Sequence, residues 1–269
     1  MFLSRLLLSA ALSLSGLSAT AHEFWIEPLR YQVPNGEKLQ ALFKNGQEFE
    51  GISLSFFDRT SARFEMQAGE ETIPVTPRAG DNPALDVAAP LADGLVVVAH
   101  ETTPSRLTYN EWEKFLAFAA HKDFPNAAAD HAKAGWPLEK FRETYTRHAK
   151  ALIAVGSGEG ADREMGLATE FVAMTNPYAA GFDNQMRVQV LLEGEPRADA
   201  QVEVFERAPS REVTITLHRT DADGIATIPV SPGHEYLFDA VVLRPFDAQD
   251  PGDPVWETLW AALTFAVPF

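Results

Sequence analysis

The sequence predicts a mainly β protein with two β-sandwich domains and a short α-helical insertion between them. Many short segments alternate polar and apolar residues, and turn residues separate them at intervals of about 8–12 residues. Cysteine is absent, but a chain of 269 residues can bury a sufficient core without disulfide bonds. With 38 acidic and 22 basic residues the net charge is −16, which argues against nucleic acid and anionic membranes as partners.

The start of the chain has the pattern of a secretory signal peptide over residues 1–21. Arg5 precedes an apolar stretch that continues to Leu17 and is too short to span a bilayer, and Ala19 and Ala21 provide the small residues that signal peptidase requires. Cleavage between Ala21 and His22 would make a histidine the first residue of a periplasmic protein. No later segment is long and apolar enough to anchor it, so we expect no membrane insertion after cleavage.

The N-terminal sandwich is predicted over residues 22–156. Phe24 and Trp25 lie in its first strand, and we expect them to pin that strand into the core. The apolar run Leu95–His100 predicts a strand that is covered on both faces. Further strands are expected over 38–43, 52–57, 62–66 and 71–75.

The helical insertion is predicted over about residues 105–150. Residues 108–118 have helical spacing, with Thr108 or Asn110 as the N-cap. Residues 122–137 contain two prolines and predict a loop with one helical turn, and residues 138–150 predict a second helix.

The C-terminal domain is predicted over residues 165–269 as a transthyretin-like or immunoglobulin-like sandwich. Its segments alternate cleanly, and Gly-, Pro- and Asp-containing turns separate them. The predicted strands are 170–174, 186–192, 201–206, 214–220, 226–230, 235–243 and 256–267.

Several segments together resemble one family. They are His22–Pro28, Arg142–Lys150, Glu170–Val172, Thr175–Tyr178, Thr220–Gly224 and Trp260–Phe265. Over nearly all of its mature length the chain is similar to the bacterial domain-of-unknown-function family 4198, long labelled a nickel-uptake family. The resemblance implies an exported β-sandwich protein, and some members accompany nickel or cobalt uptake systems. It implies no catalytic residue.

His22 is the first candidate metal ligand. After cleavage its α-amine and imidazole Nδ1 could form a chelate ring of the kind that suits Cu(II) or Ni(II). An amine with an ordinary pKa of about 7.7–8.0 loses its proton at little cost near neutral pH. Further ligands must come from elsewhere in the fold.

Three more histidines are candidates to complete such a site. His100 ends an apolar strand and is the preferred second ligand, and His148 and His121 are weaker third ligands. Each also has a simpler interpretation, as a strand-end histidine bonded to backbone or as a surface residue. Because the chain has no thiolates, histidine, carboxylate and amine groups are the donors available to an ion.

The predicted function is that of a periplasmic accessory protein that binds nickel, cobalt or copper for a membrane metal-uptake complex. Catalysis is not predicted, because the sequence lacks the nucleophile-elbow, zincin, Walker and dinucleotide-binding motifs. One alternative is a non-catalytic interaction module of the cell envelope that binds protein or glycan. A second is redox chemistry at a copper ion held by the N-terminal histidine.

Overall fold

The computed structural model describes residues 22–88, 93–250 and 252–269. The predicted signal peptide lies outside these residues. The described chain is mainly β, which confirms the predicted fold class. None of its described helices is long and apolar enough to cross a membrane.

The first part of the chain contributes ten strands, a short 3-10 helix at Asp58–Thr60 and two α-helices. The strands are β1 (Glu23–Pro28), β2 (Gln32–Val33), β3 (Lys38–Gln47), β4 (Glu50–Leu54), β5 (Ser61–Ala68), β6 (Glu71–Pro74), β7 (Leu85–Ala88), β8 (Gly94–Thr102), β9 (Ser105–Tyr109) and β10 (Phe141–Val155). The helices α1 (Trp112–His121) and α2 (Ala127–Ala134) lie between β9 and β10.

The second part of the chain contributes eight strands. They are β11 (Thr169–Ala173), β12 (Gln185–Leu192), β13 (Glu195–Pro196), β14 (Gln201–Arg207), β15 (Val213–Arg219), β16 (Ile225–Pro229), β17 (Glu235–Pro245) and β18 (Trp256–Ala266). All seven segments predicted as strands here are confirmed to within a few residues.

Three sheets form the fold. A ten-stranded central sheet has the order β15-β14-β17-β18-β10-β8-β5-β6, and β2 and β9 also pair with β10. One four-stranded sheet contains β1, β3, β4 and β7, and the other contains β11, β12, β13 and β16. The central sheet is continuous because β10 and β18 pair in parallel, from Glu143 opposite Trp256 to Ala151 opposite Thr264. Strands from both predicted domains therefore share one sheet, and the predicted domain boundary stays a prediction.

The central sheet has a hydrophobic core on each face. Along β10, Ala151 and Ile153 pack with the β1 sheet, whereas Leu152 and Ala154 pack with the β11 sheet. This alternation follows from the two-residue period of a strand. Trp25 is fully buried on the β1 side, which confirms that the first strand is pinned into the core.

The predicted helix over residues 138–150 is wrong, because residues 141–150 of this segment form the first ten residues of the 15-residue strand β10. Its charged residues suggested a helix surface, but β9 and β18 pair with it on either side and cover it. Thr144, Tyr145 and Thr146 also favour a strand.

The region before β10 also differs from the prediction. Residues 105–109 form β9, and α1 begins after Glu111, with no side-chain cap. The predicted loop over 122–137 contains the eight-residue helix α2, which ends at Gly135 in a left-handed conformation with φ of +70°. Phe115 and Phe118 of α1 pack in a third core with Trp256 and Trp260 of β18.

Candidate functional site

His22 lies exposed at the entrance to β1 and is anchored by its neighbours. Its backbone oxygen accepts a hydrogen bond from Arg147 Nη2 at 3.1 Å. Glu23, the next residue, is buried and pairs with Gly46 of β3, and the Asn45 side chain donates to the Glu23 backbone oxygen at 3.0 Å. The start of the predicted mature chain is therefore held in a defined place, on the wall of a cavity of about 340 Å³.

His100 is buried in an aromatic cluster on the β1 side of the central sheet. Its ring lies 4.2 Å from that of Phe43 and 5.4 Å from those of Phe24 and Phe64. Its Nε2 lies 2.9 Å from Ser61 Oγ. Burial, and secondarily the nearby His148, lowers the pKa of His100 to about 3, so its ring is neutral at physiological pH.

His148 lies on the opposite face of the central sheet. It alternates with Ala149 along β10, and its Nδ1 lies 3.2 Å from the Trp260 backbone oxygen. Burial lowers its pKa to about 4. Because His100 and His148 project from opposite faces, the structure does not bring them together as two ligands of one ion.

His121 ends α1 and contacts a group of carboxylates that the sequence did not predict. Within residues 22–88, 93–250 and 252–269, one group of His, Cys, Asp and Glu side chains offers three ligand atoms within 4.8 Å of one another, namely Glu23, Glu203 and Asp239. His121 Nε2 lies 3.2 Å from Glu203 Oε1. Of the four predicted ligands, His22 is next to this group in sequence and His121 contacts it.

Lys122 lies at the centre of the three carboxylates. Its Nζ donates to Glu203 Oε2 at 2.6 Å, to Asp239 Oδ2 at 2.8 Å and to Glu23 Oε1 at 3.3 Å. The ammonium also lies 5.0 Å from the ring centre of Trp260. We call Glu23, Lys122, Glu203 and Asp239 the Lys122 cluster.

The Lys122 cluster is short of positive charge. Three ionised carboxylates carry three negative charges and Lys122 carries one positive charge, so two negative charges remain when all three carboxylates are ionised and His121 is neutral. Burial raises the pKa of Glu23 to about 7, against the attraction of Lys122, and burial also raises the pKa of Asp239. Burial alone would lower the pKa of Lys122, but Asp239, Glu23 and Glu203 outweigh it and raise the pKa.

A weak sequence signal marks the cluster. Glu203 and Asp239 each lie between two apolar residues within the strands β14 and β17, where burial of an unpaired charge would be costly. The strand register places them opposite each other. Glu23 and Lys122 join them from β1 and from the residue after α1, and no spacing rule connects these four positions.

The remaining histidines have structural partners or surface positions. His131 is fully buried, and its Nδ1 accepts a hydrogen bond from Trp256 Nε1 at 3.0 Å while its Nε2 lies 3.0 Å from the Pro137 backbone oxygen. His218 Nε2 lies 3.0 Å from Thr216 Oγ1. His234 Nδ1 lies 2.7 Å from Glu206 Oε1. None of these three contacts the Lys122 cluster.

The fold and the site define a mainly β protein with a buried lysine–carboxylate cluster beside its first strand. The chain belongs to the domain-of-unknown-function family DUF4198, whose family model matches residues 19–244. No curated protein matches the chain in sequence.

Two solved structures are distantly similar. A tetra-tandem repeat in the extending region of a large adhesion protein aligns with 91% of this chain and 49% of its own, at 8% identity and a TM-score of 0.20. The chain thus spans about half the length of that structure. The D0-D1 domain of intimin aligns with 91% of this chain and 97% of its own, at 11% identity and a TM-score of 0.21. Similarity at this level carries no functional argument.

Proposed function

We propose that this protein is a periplasmic accessory protein that binds a transition-metal ion at its processed amino terminus, for transfer to a membrane uptake complex, without catalysis. The observation that supports the proposal is the position of Glu23. It directly follows His22 and belongs to the one described group of three carboxylates that could share an ion. His121 adds an imidazole to the same group.

The donor types fit nickel, cobalt or copper. The processed terminus would provide an amine and an imidazole. The Lys122 cluster provides carboxylates, and the neighbouring His121 provides a second imidazole. Imidazole and amine nitrogen suit these borderline ions, and geometry and metal supply decide among them. His100 and His148 are predicted ligands on sequence grounds, but their burial on opposite faces of the sheet better supports structural roles.

The charge of the Lys122 cluster is complementary to a divalent ion. The two uncompensated negative charges would be neutralised by one such ion with Lys122 still present. Protons compete for the same sites, because the pKa of Glu23 is raised to about 7 and that of Asp239 is also raised. We therefore expect metal binding to strengthen from pH 6 to pH 8 and to release protons.

The test compares two forms of the protein that differ at one end. The periplasmic form is purified and its first residue is determined by mass spectrometry. The second form is made in the cytoplasm with a methionine directly before His22, which moves the free amine away from that residue. Ni(II), Co(II) and Cu(II) are titrated into both by calorimetry.

We expect the periplasmic form to bind one of these ions at least tenfold more tightly, a difference of about 1.4 kcal/mol. The variant His22→Ala should bind the ion about tenfold more weakly than the wild type. His218→Gln should bind like the wild type because His218 lies away from the cluster. Equal affinity in the two forms, or affinity no tighter than that of a free peptide with the same first four residues, would contradict the proposal.

An interaction module is the second candidate. Ile215 and Leu217 lie on β15, the edge strand of the central sheet, and their side chains are 40% and 60% exposed. This candidate requires that partner binding be indifferent to EDTA and unchanged by His22→Ala. Reductant-dependent oxygen consumption with Cu(II) would instead contradict the non-catalytic part of the proposal.

A further inference from the structure

The cavity beside His22 contains a buried carboxylate that lacks a cationic partner. Six acidic side chains are buried in the described residues, and five of them form an ion pair with Lys122 or Lys150. Glu143, which is 2% exposed, is the sixth, and it forms no ion pair within the described chain. Its oxygens accept hydrogen bonds from Thr258 Oγ1 at 2.5 Å and Tyr109 hydroxyl at 2.9 Å.

These two neutral donors leave the charge of Glu143 largely uncompensated. Burial raises its pKa to about 7, although Thr258, Tyr109 and the more distant Arg147 act in the opposite direction. Each carboxylate oxygen can accept a second hydrogen bond. A cation that reached Glu143 through the cavity would therefore gain a charge-assisted hydrogen bond and relieve the cost of the buried charge.

Arg147 presents the opposite charge on the same cavity wall. Its Nη2 donates to the His22 backbone oxygen, and its guanidinium lies 4.6 Å from the ring centre of Tyr145. The buried Nε has no hydrogen-bond partner, and the described residues provide no carboxylate within ion-pair distance of the guanidinium. The processed amine of His22 would add positive charge near this end.

The two charged residues lie four positions apart on the same strand. Glu143, Tyr145 and Arg147 alternate along β10 and line one cavity of about 340 Å³. Four residues of a strand span about 13 Å between Cα atoms. Tyr145 lies between the two charges, and Trp260 and Leu107 add apolar surface to the wall.

We propose that this cavity binds a small zwitterion whose ammonium contacts Glu143, whose carboxylate contacts Arg147, and whose short apolar chain lies against Tyr145 and Trp260. The size suits an aminocarboxylate of dipeptide length. A bare metal ion fits this position less well, because the cavity is far larger than one ion. The inference does not rest on metal binding at the Lys122 cluster, although His22 lines this cavity as well.

The experiment uses three probes of equal chain length. 6-Aminohexanoate carries both charges, hexanoate carries the anion alone, and hexylamine carries the cation alone. Each is titrated by calorimetry into the periplasmic protein at pH 8, in EDTA, so that metal binding does not contribute. We expect 6-aminohexanoate to bind at least tenfold more tightly than either single-charge probe.

Two variants separate the two ends of the cavity. Glu143→Gln retains hydrogen-bonding groups. It should lower the affinity for 6-aminohexanoate at least tenfold and leave the affinity for hexanoate unchanged. Arg147→Met should lower the affinity for both 6-aminohexanoate and hexanoate and leave the affinity for hexylamine unchanged. The matched controls are Glu139→Gln and Arg142→Met, which remove the same charges from exposed positions next to and on β10 and should bind like the wild type.

Circular dichroism and thermal unfolding establish that each variant is folded. If Arg147→Met does not fold, Arg147→Lys, which retains the charge but alters its geometry, replaces it and should weaken hexanoate less. The inference is overturned if the zwitterion binds no more tightly than the better single-charge probe, if no probe binds at millimolar concentration, or if folded Glu143→Gln retains wild-type affinity.

Discussion

Two lysines are buried in the part of the chain that the structure describes, and they differ in how the charges of their carboxylate partners are compensated. Lys150 Nζ bonds Asp162 at 2.8 Å, Glu170 at 3.1 Å and the Arg163 backbone oxygen at 3.0 Å. Lys122 bonds three carboxylates and no backbone oxygen. We call Lys150, Asp162 and Glu170 the Lys150 cluster.

Backbone N–H groups complete the Lys150 cluster. Glu170 accepts hydrogen bonds from the backbone of Met165, Gly166 and Leu167, and Asp162 accepts them from Arg163 and Ala173. The two ionised carboxylates and one lysine have a net charge of −1, and these five backbone donors stabilise it.

The Lys122 cluster has weaker compensation. Glu203 and Asp239 are contacted by the side chains of Lys122 and His121, and two negative charges remain when the three carboxylates are ionised and His121 is neutral. A cluster whose carboxylate charges are fully compensated stabilises the fold. A cluster whose charges are incompletely compensated can also accept a proton or a cation. This difference is why we assign a structural role to the first and a binding role to the second.

The largest expected effect is on stability, at Lys150. Lys150→Met would leave two buried carboxylates without their cation, and loss of one partner from a buried ion pair costs about 3–5 kcal/mol. Urea unfolding at pH 8 would measure the loss. Because the backbone donors stay in place and stabilise the remaining charge, Ni(II) should not restore stability, and restoration by Ni(II) would contradict the structural assignment.

Lys122→Met should differ in its response to pH and metal. The same loss of about 3–5 kcal/mol is expected at pH 8 in EDTA, but it should shrink toward pH 5 because Glu23 and Asp239 have raised pKa values and take up protons. A divalent ion at a hundredfold excess over its dissociation constant should restore about 2.7 kcal/mol. If Lys122→Met and Lys150→Met respond identically to metal, the two clusters are not functionally different.

Glu143 extends the comparison to a buried carboxylate with no lysine. Its folded pKa of about 7 lies above the ordinary value of 4.5, so the folded protein binds the proton more tightly than the unfolded chain. Its contribution therefore favours folding at low pH and is lost as pH rises from about 4.5 to about 7. At 1.36 kcal/mol per unit, the loss approaches about 3 kcal/mol.

Glu143→Gln has no such proton, so its unfolding free energy relative to the wild type should rise by about 3 kcal/mol between pH 4.5 and pH 8. Urea unfolding at pH 4.5, 6 and 8 measures this difference, with Glu139→Gln as the exposed control. Parallel pH dependence in Glu143→Gln and the wild type would show that Glu143 is already neutralised by the protein.

The sequence predicted the strands well because alternation reports which face of a strand is buried. It failed at β10, where both faces are covered and buried charges interrupt the apolar pattern. Glu143 and Lys150 lie within the segment that was predicted as a helix, yet both are buried by partners distant in sequence. A strand with such partners cannot be distinguished from a polar helix by periodicity alone.

Only the amino-terminal part of the candidate site could be predicted from the sequence. His22 followed from the pattern of the predicted signal peptide, and its neighbour Glu23 could be placed on the first strand. Glu203 and Asp239 meet through the pairing of β14 with β17, and Lys122 reaches them from the end of α1. Such a meeting depends on strand register and helix packing, which one sequence does not reveal.

The smallest expected effect is at the exposed edge of the Lys122 cluster. The His121 side chain is 55% exposed, and its hydrogen bond to Glu203 raises its pKa. A raised folded pKa means that the stabilisation is fully present below the unfolded value of about 6.5 and is lost as pH rises through the folded value. Because solvent screens this contact, His121→Gln should cost less than about 1 kcal/mol at pH 5.5 and nothing measurable at pH 9.

His218→Gln is the matched control because its expected effect on stability at low pH is opposite in sign to that of His121→Gln. Burial lowers the pKa of His218, so the wild type is penalised at low pH, and this substitution should stabilise the protein slightly at pH 5.5 relative to pH 9. Urea unfolding at pH 5.5 and pH 9 measures whether each substitution lowers or raises the free energy of unfolding. A loss at His121→Gln that persists at pH 9 would mean that His121 contributes through packing, and the ion pair at the edge of the Lys122 cluster would then play no part in its stability.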